Sequence, residues 1–129
     1  MDNTTTLRIT DSQKEQYREE GYFILERALP DAYLHTLREE GQRFIDRMNA
    51  EMDRLGVDVL GINHRNKRYF LAHPSQESPA IREILFSELF AEICRATLGD
   101  EAYLYWEQYV VKAAEVGMKF SWHQDSAFG

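Results

Sequence analysis

Cysteine is nearly absent. The single residue, Cys94, cannot form an internal disulfide, so no covalent framework holds the fold and a reducing compartment is the default. Proline is scarce, with 3 in 129 residues, which leaves long stretches where helices and strands can run unbroken. No apolar run approaches the roughly 20 residues that a membrane-spanning helix requires. The first six residues hold no basic stretch leading into an apolar one, the pattern of a secretory signal. A cytoplasmic location is the resulting expectation. Positive charge is in deficit: 15 Lys and Arg against 22 Asp and Glu give a formal net charge of -7. Nucleic acid, which needs a basic face, is excluded as the main partner, and anionic membrane surfaces are not attracted.

What is present suits a soluble globular domain. The chain is 43% hydrophobic and 29% charged, and its length allows a real core. No repeat or low-complexity segment occurs beyond a short Thr run, and the first seven residues read as a loose tail. Asp11 or Ser12 caps a short helix through about Glu20, closed by Gly21. Residues 22–26 read as a strand. Leu29-Pro30-Asp31 opens a second helix, with Pro near its first position. Leu34, Leu37, Phe44, Ile45, Met48, Met52 and Leu55 recur at helical spacing, and Gly56 is the stop. Residues 57–78 resist assignment and carry a basic patch from His64 to Arg68.

Pro79 starts a third helix. Ile81, Leu85, Leu89, Ile93 and Thr97 line one stripe, and Gly99 closes it. Cys94 lies in this pattern among Phe90, Ile93 and Leu98, which reads as a buried, inert thiol. The period then changes. Residues 103–112 are aromatic and β-branched without a breaker and read as a strand of about ten residues. Residues 113–117 form a turn, and 118–125 read as another strand. The order predicts an α+β chain, helices about 8–99 and strands from about 102. Two or three strands alone leave open edges and an uncovered face, so the expectation is an incomplete sheet.

The residues that could carry chemistry are Trp122-His123-Gln124-Asp125. On a strand, positions i and i+2 share a face. His123 and Asp125 would project together, and an imidazole nitrogen and a carboxylate oxygen could converge on one metal. With a second His from elsewhere they would make the two-His-one-carboxylate triad of non-haem Fe(II) oxygenases. His-x-Asp alone is weak, since a solvated, mutually hydrogen-bonded pair gives the same pattern.

Context strengthens it. The Trp-His-Gln-Asp block, following a longer strand and a turn, resembles the phytanoyl-CoA dioxygenase family. The segments Glu20 to Glu26, Leu29-Pro30 with its helix, and Thr97-Leu98-Gly99 before the aromatic strand are similar to that family in order and spacing. The resemblance implies N-terminal helices followed by a double-stranded β-helix (a jelly roll), of which residues 1–129 would be a single incomplete domain. It implies Fe(II) bound by His123, Asp125 and a distal His, and 2-oxoglutarate as cosubstrate, converted with O2 to succinate and CO2 while a small organic substrate is hydroxylated. Asp125 favours hydroxylation, because halogenating relatives replace that carboxylate with a small residue. By position Gln108 contacts the cosubstrate, sharing a face with Val110 and Lys112; an ordinary strand polar group is the alternative. Arg68, or Lys67, supplies a basic contact to a 2-oxoglutarate carboxylate, with a solvated loop charge as the alternative. Trp122 walls the site or packs on the sheet.

The distal His and the Arg for the far carboxylate would lie downstream of Asp125, and His35, His64 and His73 have no counterpart among the family's ligands. The expectation is therefore a fragment of a dioxygenase, with activity of this chain alone in doubt. Another class competes: a non-catalytic helical interaction module, using helices 31–55 and 79–98 and pairing its last strands with a partner sheet. A zinc hydrolase is a weaker third reading, lacking ligands. Iron binding separates the first from the second.

Overall fold

A computed structural model describes residues 7–114 and 119–125. Helix α1 spans Asp11–Glu20. Its cap is Thr10, one residue ahead of the expected Asp11 or Ser12. Thr10 and Gln13 bond each other's backbone N–H in a reciprocal capping box. Gly21 closes the helix in the left-handed region at φ 83°, as its lack of a Cβ allows. Helix α2, Asp31–Leu55, starts after Pro30 and ends at Gly56, whose N–H reaches the carbonyls of Asp53 and Met52.

The segment 57–78 holds most of the sheet. Strands β1 (Val59–Leu60), β2 (Asn63–His64) and β3 (Arg68–Ala72) follow one another, and β4 (Gln108–Lys112) closes the antiparallel order β1-β2-β3-β4. Among the described residues three of the four strands thus precede the last helices, which revises the expected order of helices first and strands last. Helices α3 (Pro74–Glu77), α4 (Pro79–Leu85) and α5 (Glu88–Thr97) lie between β3 and β4. The α+β character holds.

The sheet has two faces with different tasks. Tyr69 and Leu71 of β3 pair with Val111 and Tyr109 of β4 and face α2. There, with Phe44, Ile45 and Met48, they form the core. The buried Tyr69 hydroxyl is satisfied on both sides, accepting from the Asn66 N–H at 2.8 Å and donating to Asn49 Oδ1 at 2.7 Å. Arg68, Phe70 and Ala72, paired with Lys112, Val110 and Gln108, occupy the opposite face. Ser78 caps α4 and is 1% exposed, beside the buried Ile81 and Ile84.

Three elements differ from expectation, each because of neighbours. Residues 22–26 are not a strand, since no described strand runs beside them. Phe23 instead meets the Tyr17 ring edge-on at 6.0 Å, and the Ile24 carbonyl accepts from Gln13 Nε2. The third helix breaks at Phe86–Ser87, where Ser87 turns to an extended conformation. The long aromatic strand shrinks to β4 because His73, at φ 54°, turns the chain away after Ala72. Residues 103–107 then run past the end of their partner, tied by the His73 N–H to the Glu107 carbonyl. The expected strand over 118–125 is not regular among residues 119–125; Met118, most of the 113–117 turn and most of the loose tail lie outside the described residues. No helix among the described residues is long and apolar enough to cross a membrane.

Candidate metal centre and its cavity

His123 and Asp125 approach each other closely. Nε2 of His123 lies 3.3 Å from Oδ1 of Asp125. The other ring nitrogen, Nδ1, lies 2.8 Å from the Ser121 carbonyl. A carbonyl only accepts, so Nδ1 donates to it and Nε2 is the ring nitrogen turned toward Asp125. A proton or a cation shared between these two atoms suits the approach equally. Two ligands about 2.1 Å from an octahedral ion and at right angles stand about 3.0 Å apart. The observed spacing fits a metal after a shift of a few tenths of an ångström. The carbonyl behind Nδ1 is the outer-shell partner that fixes ring tautomer and orientation in metal sites. Asp125 is fully exposed.

The pair opens on a cavity of about 700 Å³ against the outer sheet face. Arg68, Gln108, His123 and Asp125 all line it. Arg68 and Gln108 come from β3 and β4, and His123 and Asp125 from the segment that crosses the sheet after β4. Phe120 seats that segment. Its ring is 5.5 Å from Phe70, with Lys112 Nζ 4.8 Å and the Arg68 guanidinium carbon 5.9 Å from its centroid. Trp106, Tyr105 and Ile62 complete the wall. Hydropathy alone did not single out Phe70, Trp106 or Phe120. Period 2 along β3 from Arg68 would have found Phe70.

The remaining candidates lie elsewhere. Trp122 is fully exposed and does not line the cavity. His35 pairs with Glu39 on the surface of α2. His73 meets the Trp106 ring edge-on, with ring centroids 4.3 Å apart. Among the described residues no group of three His, Cys, Asp or Glu side chains could hold a metal. Cys94 is half-buried.

Electrostatic perturbation sits behind the site. Tyr109 follows Gln108 but points to the core, where burial, with Glu40 and Glu107 adding, pushes its phenol up to about 12. Bonding to Arg47 holds the Glu77 carboxyl below its usual range.

The family model for phytanoyl-CoA dioxygenase matches residues 17–129. The chain belongs to that family. No curated protein and no solved structure gives a significant match. Phytanoyl-CoA dioxygenase membership points to Fe(II)/2-oxoglutarate oxygenase chemistry and a small-molecule substrate. The residue pair and the matched region coincide, since the match includes both β4 and the 119–125 segment.

Proposed function

We propose that this chain carries two of the iron ligands, His123 and Asp125, of a non-haem Fe(II)/2-oxoglutarate-dependent dioxygenase that hydroxylates a small organic substrate in the cytoplasm. The observation that carries the reading is the convergence of His123 Nε2 and Asp125 Oδ1 at 3.3 Å, with Nδ1 tied back to a carbonyl. Bound Fe(II) would supply the site for O2 and 2-oxoglutarate, whose conversion to succinate and CO2 accompanies insertion of one oxygen atom into a substrate C–H bond.

This chain's own residues do the rest. His123 offers a lone pair in a fixed tautomer, and Asp125 adds the negative charge that favours a divalent cation. Arg68 presents a planar guanidinium to a cosubstrate carboxylate, and Gln108 offers an amide to the same ligand. Phe70, Trp106 and Phe120 supply apolar walls that limit water around the reacting atoms. Residues 1–129 belong to one domain in this reading, and the sheet is part of a jelly roll.

Metal titration tests it. Co(II), a redox-stable probe for the Fe(II) position, should bind the chain weakly. His123→Ala should abolish binding and Asp125→Ala should nearly do so. Affinity unchanged in both variants overturns the assignment.

A further inference from the structure

Arg68 is held more tightly than an exposed cation on a loop would be. Its Nε donates to the Ile62 carbonyl at 2.8 Å, and its Nη2 lies 3.3 Å from His64 Nε2. His64 and Arg68 are direct cross-strand partners of β2 and β3, so both side chains rise on one face. A guanidinium only donates. The contact is a hydrogen bond only if Nε2 lacks a proton, which makes His64 the neutral Nδ1–H tautomer.

The scaffold under this clasp is itself fixed. Asn63 is buried, accepts from the Phe70 N–H at 2.7 Å and donates to the Leu60 carbonyl at 3.2 Å. Asn66 takes the left-handed conformation, φ 58°, that lets the hairpin close in so few residues. The next register partners on the two flanking strands bring no acceptor to compete. Val59 sits opposite His64 on β1, and Lys112, opposite Arg68 on β4, is a second cation. With one Nε and one Nη2 hydrogen used, three N–H bonds of the guanidinium remain for an incoming ligand.

We infer that His64 is a positioning residue for carboxylate recognition: it holds the Arg68 guanidinium in its rotamer so that the remaining N–H groups face the cavity. This rests on the proposed role of Arg68 toward 2-oxoglutarate. Preorganisation removes the cost of ordering a long side chain when the ligand arrives. Gln at position 64 keeps an acceptor at a similar reach, whereas Leu removes it.

The test measures 2-oxoglutarate binding by calorimetry in anaerobic Fe(II), for the wild-type chain and three variants. Arg68→Ala should lose most of the affinity. His64→Leu should weaken it by roughly 3- to 10-fold, the cost of immobilising one rotamer-rich side chain, and His64→Gln should restore it. Weakening in Arg68→Ala with none in His64→Leu overturns the positioning role and leaves Arg68 as the contact. No loss in Arg68→Ala overturns the reading of Arg68, and this inference with it. If His64→Leu does not fold, nitrogen-15 NMR of the wild-type chain without metal decides. The Nδ1–H tautomer of His64 with slowed exchange of the Arg68 guanidinium protons supports the clasp, and the Nε2–H tautomer overturns it.

Discussion

Phe120 meets Phe70 edge to face, with ring centroids 5.5 Å apart and planes at 85°. Phe70 stands on the outer face of β3, so this contact fastens the segment bearing His123 and Asp125 to the sheet. Lys112 Nζ at 4.8 Å adds a cation to the same ring. An aromatic pair contributes about 0.5–1.5 kcal/mol beyond burial, and an exposed cation–π contact about 0.5–1 kcal/mol. Phe120→Ala should therefore weaken Co(II) binding by about 5- to 70-fold, since the two contacts together amount to about 1–2.5 kcal/mol and roughly 1.4 kcal/mol is a tenfold change. The urea midpoint should hardly move, because the main core lies on the other face of the sheet. Phe120→Tyr should keep metal affinity. Equal affinity for wild type and Phe120→Ala would remove Phe120 as the anchor.

Gly41 lies inside α2, where Ala would normally be better by about 1 kcal/mol. Here a Cβ would stand 3.1 Å from Tyr109 Cε1. The ring cannot retreat freely, because the Tyr109 hydroxyl donates to the Leu37 carbonyl at 2.9 Å. Overpacking typically costs about 1–3 kcal/mol, which exceeds the propensity gain. Gly41→Ala is expected to destabilise by about 1 kcal/mol in urea unfolding. In a Tyr109→Ala background the same substitution should stabilise by about 1 kcal/mol, since only the propensity difference is left. The same sign in both backgrounds would show that the Tyr109 ring is not the obstacle.

Glu107 organises the turn beside the cavity. Its Oε1 accepts from the Ser75 N–H at 3.1 Å and from the Ser75 hydroxyl at 2.6 Å, and Ser75 is buried. Removing the acceptor leaves a buried N–H and O–H without it, at about 1–3 kcal/mol. Glu107→Ala should lower stability by that amount and Glu107→Gln by clearly less, because the amide oxygen still accepts. Equal losses in the two variants would mean that the charge, not the acceptor, matters.

Much of the helical part could be read from local chemistry. Pro30 and Gly56 bracket α2 because one has no N–H to lose and the other takes the left-handed cap at φ 67°. The break at Phe86–Ser87 was hidden because Ile81, Leu85 and Leu89 keep helical phase across it. β1 and β2 are two residues each and include the polar Asn63 and His64. They are set by tertiary bonds from the Asn63 side chain, which hydropathy cannot register. The aromatic run 103–107 has strand propensity, but among the described residues no strand runs beside it, and a strand exists only where a neighbour completes its hydrogen bonds. Gln108 shares the outer face with Val110 and Lys112, as alternation from any one of them dictates. Arg68 joins that face through the register of β3 on β4, a non-local fact. The closeness of His123 and Asp125 was legible from their spacing, although the segment that carries them is not a regular strand.

Tyr109 links the back of the site to pH. Burial is the main reason its phenol rises from the ordinary value near 10 to about 12, with Glu40 and Glu107 contributing. A raised folded-state value means that the neutral phenol is favoured in the folded chain. Its stabilisation is complete below the unfolded value of about 10 and is lost as pH climbs through about 12. The hydroxyl also donates to the Leu37 carbonyl, a bond worth about 0.5–1.5 kcal/mol net. Tyr109→Phe should accordingly be less stable than wild type at about pH 8, and the gap should close between about pH 10 and pH 12. Urea midpoints measured across that range, together with phenolate absorbance, give both readings. A gap that stays constant over the range would place the Tyr109 hydroxyl in contact with solvent and remove its raised titration as a source of alkaline instability.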